Sequence, residues 1–227
     1  AVLPQGTRNR TPEELEEEIE LLGSSVFMRA SGEEITLSGS TLSRNFAATV
    51  SLMKEILLEP RWDTAEFIMA QTRTRNGLIQ AEARPASVAS EQFMKLVYGP
   101  EHIMGYDLRG TKESVEQITP EILKSFYETN FSPSVTSIYV AGNVSRKEVL
   151  NALKPLESEW QAREVPARSY ELPAAPEESQ IYFFDIPGSR QSVVYAGYIA
   201  MTRNDPDWVK ANFANYRMGG AFTSILN

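Results

Sequence analysis

Helix starts and stops are spaced along this chain so regularly that they limit what it can become. Thr11-Pro12-Glu13-Glu14 places a capping hydroxyl, a proline suited to a first turn and a glutamate three residues after the cap. Asp63 with Glu66 and Ser145 with Glu148 repeat the spacing, Thr119-Pro120-Glu121 is a further start, and Ser43 opens another. Apolar residues then recur at helical intervals: Leu15, Ile19 and Leu22; Phe46, Val50, Met53 and Leu57; Val88, Phe93, Leu96 and Val97. Gly23, Pro60, Pro85 and Gly99 mark the ends.

Between the helices lie segments of strand character. Two runs rich in Val, Phe, Ile, Thr and Leu flank Ser31-Gly32 and predict a hairpin. Residues 134–142 (SVTSIYVAG) read as a buried strand, and 180–186 and 191–200 as two more around Pro187-Gly188. The pattern predicts an α+β fold. The proline-rich, charged stretch near 161–178 reads as a linker. It divides a first unit, 1–160, from the start of a second, 179–227, which lacks a closing element. Ala1-Val2-Leu3-Pro4 looks like the end of an apolar element, so the chain is expected to be a piece of a longer protein.

Composition narrows the chemistry. Of 227 residues, 42% are apolar, enough for a sizeable core, and the net charge is −8. The acidic balance argues against nucleic-acid binding, which needs clustered Lys and Arg. The absence of cysteine excludes disulfides, zinc–cysteine sites and thiol catalysis. His102 is the only histidine, so two imidazole ligands for one zinc cannot come from this sequence. No apolar run approaches the roughly 20 residues that span a bilayer.

The order of elements, together with GTRNRTPEELEEEIELLG, YGPEHIMGYDLRGTKESVEQIT, FSPSVTSIYVAGNVS and MGGAFTSILN, resembles the pitrilysin/insulinase family of zinc metallopeptidases, the inverzincins. The likeness runs from Gly6 to the last residue. It implies an antiparallel or mixed sheet flanked by helices, a LuxS/metallohydrolase-like peptidase half, with a second homologous domain truncated at the C-terminus. It further implies two halves facing each other as a clam-shell. One half carries H-x-x-E-H, whose histidines bind zinc and whose glutamate activates water, with a third ligand, a glutamate, about 75 residues on.

On that pattern, counting back from Gly6 puts the second motif histidine at Ala1. The distant glutamate falls at Gly77, and a further glutamate of catalytic halves at Ala70. Neither Ala1 nor Gly77 offers a donor, and a one-residue slip meets Asn76 or Leu78; Glu82 is more than a turn away. The resemblance therefore implies the non-catalytic half, with no catalytic residue and no metal ligand in this chain. Zinc is expected in a catalytic half, on the same chain or a separate subunit. Gly77 is expected to let another element pack closely against its helix.

Arg73 and Arg75 flank this position. If the surface lines the chamber they would meet the acidic side of a partner or a peptide carboxylate; otherwise they are exposed or internally paired. His102 reads as a loop histidine, since no G-x-S-x-G accompanies it. Glu16, Glu17, Glu18 and Glu20 read as a solvated face, and Gly219-Gly220 as a family turn rather than a phosphate loop. The function expected is to close the chamber and help hold an extended peptide for the catalytic half. The alternative is a structural or assembly subunit with no proteolytic role. Family habits and the missing cysteine suggest a bacterial periplasm or cell envelope.

Overall fold

The computed structural model describes residues 2–167, 169–171, 173 and 178–225. Helices dominate: α1 (Pro12–Leu21), α2 (Phe46–Leu58), α3 (Thr64–Glu82), α4 (Pro85–Tyr98), α5 (Lys112–Gln117), α6 (Pro120–Asn130), α7 (Arg146–Glu159) and α8 (Trp208–Asn215). One antiparallel pair, β1 (Ser25–Ala30) and β2 (Ile35–Ser40), is the sheet among the described residues.

The caps act as their sequence implies. Thr11 and Glu14 form a reciprocal box, as do Ser145 and Glu148, and Asp63 accepts from the N–H groups of Ala65 and Glu66. The glutamate at 66 thus follows an aspartate cap without closing a box. The hairpin forms as expected, with Ser25 opposite Ser40 and Ala30 opposite Ile35. Gly99 ends α4 at φ 79, a backbone state that favours glycine.

Two expectations are corrected. Residues 136–141, 180–186 and 191–200 form neither helix nor strand and join no ladder among the described residues. Tyr139 is 90% exposed and Phe183 88%. Their β-branched and aromatic composition favours extended backbone, but a strand also needs a neighbour to take its N–H and C=O groups. The buried stripe of α2 is also rotated from the one expected. Thr49, Leu52, Glu55 and Ile56 are buried, while Phe46, Val50, Met53 and Leu57 are only partly so. Two polar side chains, Thr49 and Glu55, occupy this inner face because each has hydrogen-bond partners there.

The core beneath is small. Leu15, Leu52 and Ile56 form its centre, with Ile19, Leu22 and Val26 against it. Thr49 Oγ1 joins Ser24 and Thr41 in a hydroxyl cluster at 2.8 and 2.9 Å, tying α2 to both ends of the hairpin. A second cluster is aromatic: Trp62 meets Tyr127 edge-on at 5.5 Å, and Tyr127 lies 4.9 Å from Phe131. The Tyr127 hydroxyl donates to Leu57 O at 2.6 Å, joining α6 to α2, and burial pushes its ionisation upward. Trp62 holds φ 57, an outlier for a bulky side chain that this ring contact maintains.

Candidate functional site

The position expected to matter most lies on α3. Asp63 caps this helix, and one side of it is bound to α5 by polar contacts. Gln71 Nε2 donates to Val115 O at 2.8 Å and Ile118 O at 3.2 Å. Arg75 Nε meets Glu116 Oε1 at 2.8 Å, and Lys112 Nζ meets Glu82 at 2.9 Å. Phe67, Leu78 and Ala81 are the buried residues of the helix.

Positions 70, 73 and 77 fall within about 60° of one another around the helix axis, away from the side that α5 covers. Ala70 and Gly77, where the resemblance leads one to expect glutamates, therefore share a face with Arg73. Arg75 does not join them, being engaged with Glu116. Of the two arginines, only the exposed Arg73 stands beside the vacant positions. Ala1 lies outside the described residues. Glu82 is occupied by Lys112.

Gly77 corrects an expectation. A Cβ built there meets no atom within 4 Å, so close packing does not account for this glycine. Position 77, where the resemblance leads one to expect a carboxylate, presents a hydrogen atom and open space. Among the described residues, no three His, Asp or Glu side chains are grouped to hold a metal. These donors do not fit the zinc that the family resemblance implies.

The turn at Gly6–Arg10, read only as an anchor for counting, is the most connected polar site. Gly6 sits at φ 82, where a Cβ would lie 2.9 Å from Arg10 O. Thr7 N–H donates to Arg10 O at 2.9 Å, and Arg8 N–H to Glu59 O at 2.8 Å. Within this turn the fully buried Thr7 hydroxyl donates to Glu55, and Arg10 bridges Glu55 and Glu18. Asn9 Nδ2 adds a longer bond to Glu55 at 3.4 Å. Burial pushes the Glu55 carboxyl up, but its bonds from Thr7 and Arg10, the Arg10 charge and Asn9 together hold it below the ordinary carboxylate range. The available signal was a lone carboxylate inside the apolar run SLMKEILL of α2. One helical turn of glutamates in α1 also resolves: Glu18 serves this network and Glu14 the cap.

His102 belongs to the loop after α4. Its Nδ1 accepts from Met104 N–H at 3.1 Å, and its ring lies 5.0 Å from Tyr98 and 5.6 Å from Tyr170. Tyr170 comes from the stretch read as linker, which is also pinned at Arg163. There the buried Ser132 hydroxyl donates to Arg163 O at 2.8 Å and accepts from Arg163 N–H at 2.9 Å.

A helix-dominated α+β chain with this element order has a known counterpart. The crystal structure of a peptidase M16 inactive domain from Pseudomonas fluorescens superposes on 97% of this chain and 53% of its own, with a TM-score of 0.79 at 19% identity. Residues 117–227 match the family model described as the peptidase M16 inactive domain. The mitochondrial-processing peptidase subunit beta of Blastocladiella emersonii is 26% identical over 152 residues, 64% of this chain and 31% of the relative. An uncharacterised zinc protease of Mycobacterium leprae is 22% identical over 149 residues, covering 66% and 33%. The chain thus spans about a third of the length of these curated relatives. Over residues 117–227 it is similar to the M16 inactive domain, in keeping with the pitrilysin/insulinase-type resemblance of its motifs.

Proposed function

We propose that this chain is the non-catalytic half of a zinc-dependent metalloendopeptidase, closing the chamber and helping to hold an extended peptide for a catalytic half that carries H-x-x-E-H and the zinc. The observation that supports the reading is Gly77: counted on the family pattern it stands where a ligand glutamate would be, it offers no donor atom, and no neighbour lies within 4 Å of a Cβ there. The match of residues 117–227 to an inactive domain supports it. Residues 1–160 would then form the first α+β domain, 161–178 the connection, and 179–227 the start of the second. Arg73, on the vacant face, is the candidate to line the chamber; Arg75 would first have to leave Glu116. A peptide in such a chamber can gain main-chain hydrogen bonds from a segment with unpaired backbone, and 136–141 joins no ladder among the described residues.

Two measurements test this. Purified chain is dialysed against a weak chelator and its zinc determined by elemental analysis. Peptide hydrolysis is then followed for the chain alone, for a catalytic half alone, and for the two together. The expected outcome is no stoichiometric zinc, no turnover alone, and a lower KM in the mixture than with the catalytic half by itself. One tightly held zinc per chain overturns the reading. An unchanged KM in a mixture that forms a complex favours the structural or assembly role instead.

A further inference from the structure

An open groove lies where the turn of the hairpin approaches α4 and the loop after it. Its volume is about 670 Å³, within the range of sites that bury a small ligand or a few side chains. Met94 of α4 and Ile103, Met104 and Leu108 of the loop give it apolar walls. The floor is held in place: a Cβ on Gly32 at the hairpin tip would stand 3.7 Å from Leu108 Cδ2 and 3.8 Å from Ile103 Cδ1. The loop itself is braced where Gly105 passes the Gly99 carbonyl so closely that no side chain could intervene. Yet Met104 is 45% exposed and Leu108 64%. Apolar side chains held on a braced loop but left open to water mark a surface that gains by being covered.

The charge pattern selects what covers it. Arg109 is forked onto Asp107 within the loop, with contacts of 3.0, 3.1 and 2.5 Å, so this pair is internally neutralised. Glu91, on the groove face of α4, makes no hydrogen bond or close ion pair among the described residues, and acts on Arg109 only at longer range. The lining therefore carries one carboxylate more than it has cations, beside an apolar floor.

We propose that this groove binds a peptide segment presenting a bulky apolar side chain next to a Lys or Arg, the apolar group seated on Met94, Met104 and Leu108 and the cation facing Glu91. Methionines suit such a surface because their unbranched, polarisable side chains adapt to different apolar partners. The proposal does not depend on the accessory-half reading, since the chain alone would bind.

The test uses the whole chain and three fluorescein-labelled hexapeptides on a Gly-Ser background, containing Leu-Arg, Leu-Glu or Gly-Arg at the centre, with binding read by anisotropy. Leu-Arg is expected to bind most tightly and to weaken as salt rises. Glu91→Gln should weaken Leu-Arg binding about two- to fivefold, as for an exposed charge pair, and leave Leu-Glu binding equal or better. Leu108→Ala should weaken both leucine peptides about three- to tenfold. Thermal melts of both variants verify folding, and because Glu91 is exposed and unbonded its variant should melt as the parent does. Equal binding of Leu-Arg and Leu-Glu, or Glu91→Gln without effect on Leu-Arg in a folded protein, overturns the assignment. No saturable binding of any peptide overturns it too. Loss of this binding would leave the KM effect of the mixed-halves assay untouched, so the two proposals fail separately.

Discussion

Replacing Glu55 by glutamine should loosen the first turn of the chain, and the size of the effect follows from its partners. Glu55 has 11% of its side chain exposed and accepts from Thr7, Arg10 and Asn9. Removing one member of a buried charge pair costs about 3–5 kcal/mol where nothing else compensates. Here Arg10 keeps Glu18 and remains 27% exposed, so part of its charge is still met. The amide oxygen can also still accept from Thr7. We therefore expect about 1.5–3 kcal/mol at neutral pH, near the worth of a hydrogen bond to a charged group. The pH dependence gives the sharper test. The folded carboxyl titrates below its ordinary 4.5, so its contribution is fully present above that value and is lost as pH falls through the lower folded value. Urea unfolding at pH 7, 5, 4 and 3, followed by fluorescence, should show a gap between parent and Glu55→Gln that is constant down to about pH 5 and closes below 4.5. A gap below about 0.5 kcal/mol at pH 7, or one unchanged at pH 3, would refute the claim that a charged network holds this turn.

Three other substitutions probe separate elements. Gly77→Ala should raise stability by about 0.5–1 kcal/mol, because the site is helical and open, measured as a shift in urea midpoint; a loss would show that close packing does operate there. Gly105→Ala should destabilise by about 1–3 kcal/mol and expose the loop 99–110 to faster amide exchange, because its methyl group must displace the Gly99 carbonyl. Ser132→Ala leaves the Arg163 N–H without its partner while the C=O keeps Ser134 Oγ, for about 1 kcal/mol, and should speed proteolytic nicking after Arg163 while α2 keeps its protection.

The last of these concerns a contact that no local pattern announces. Ser132 and Arg163 are 31 residues apart, and nothing near either specifies the other. The same holds for Thr7 and Glu55, 48 residues apart, where a carboxylate amid apolar neighbours was visible but its partner was not. Caps and hairpin were legible because their signals lie within a few residues of the structure they cause. Thr11 finds Glu14, Asp63 finds Ala65, and the Ser31-Gly32 turn sets its own register. The stretches 180–186 and 191–200 show the opposite case, for a strand is completed only by a partner.

For the vacant site the division is equally physical. That positions 70 and 77 hold no donor was decided by residue identity alone, since a methyl group and a hydrogen atom coordinate nothing. That Arg73 shares their face while Arg75 is held by Glu116, and that Gly77 opens onto space rather than a packed neighbour, was decided by how α5 lies across α3. Chemistry a side chain cannot perform is settled by its atoms; the company it keeps is settled only when distant segments meet.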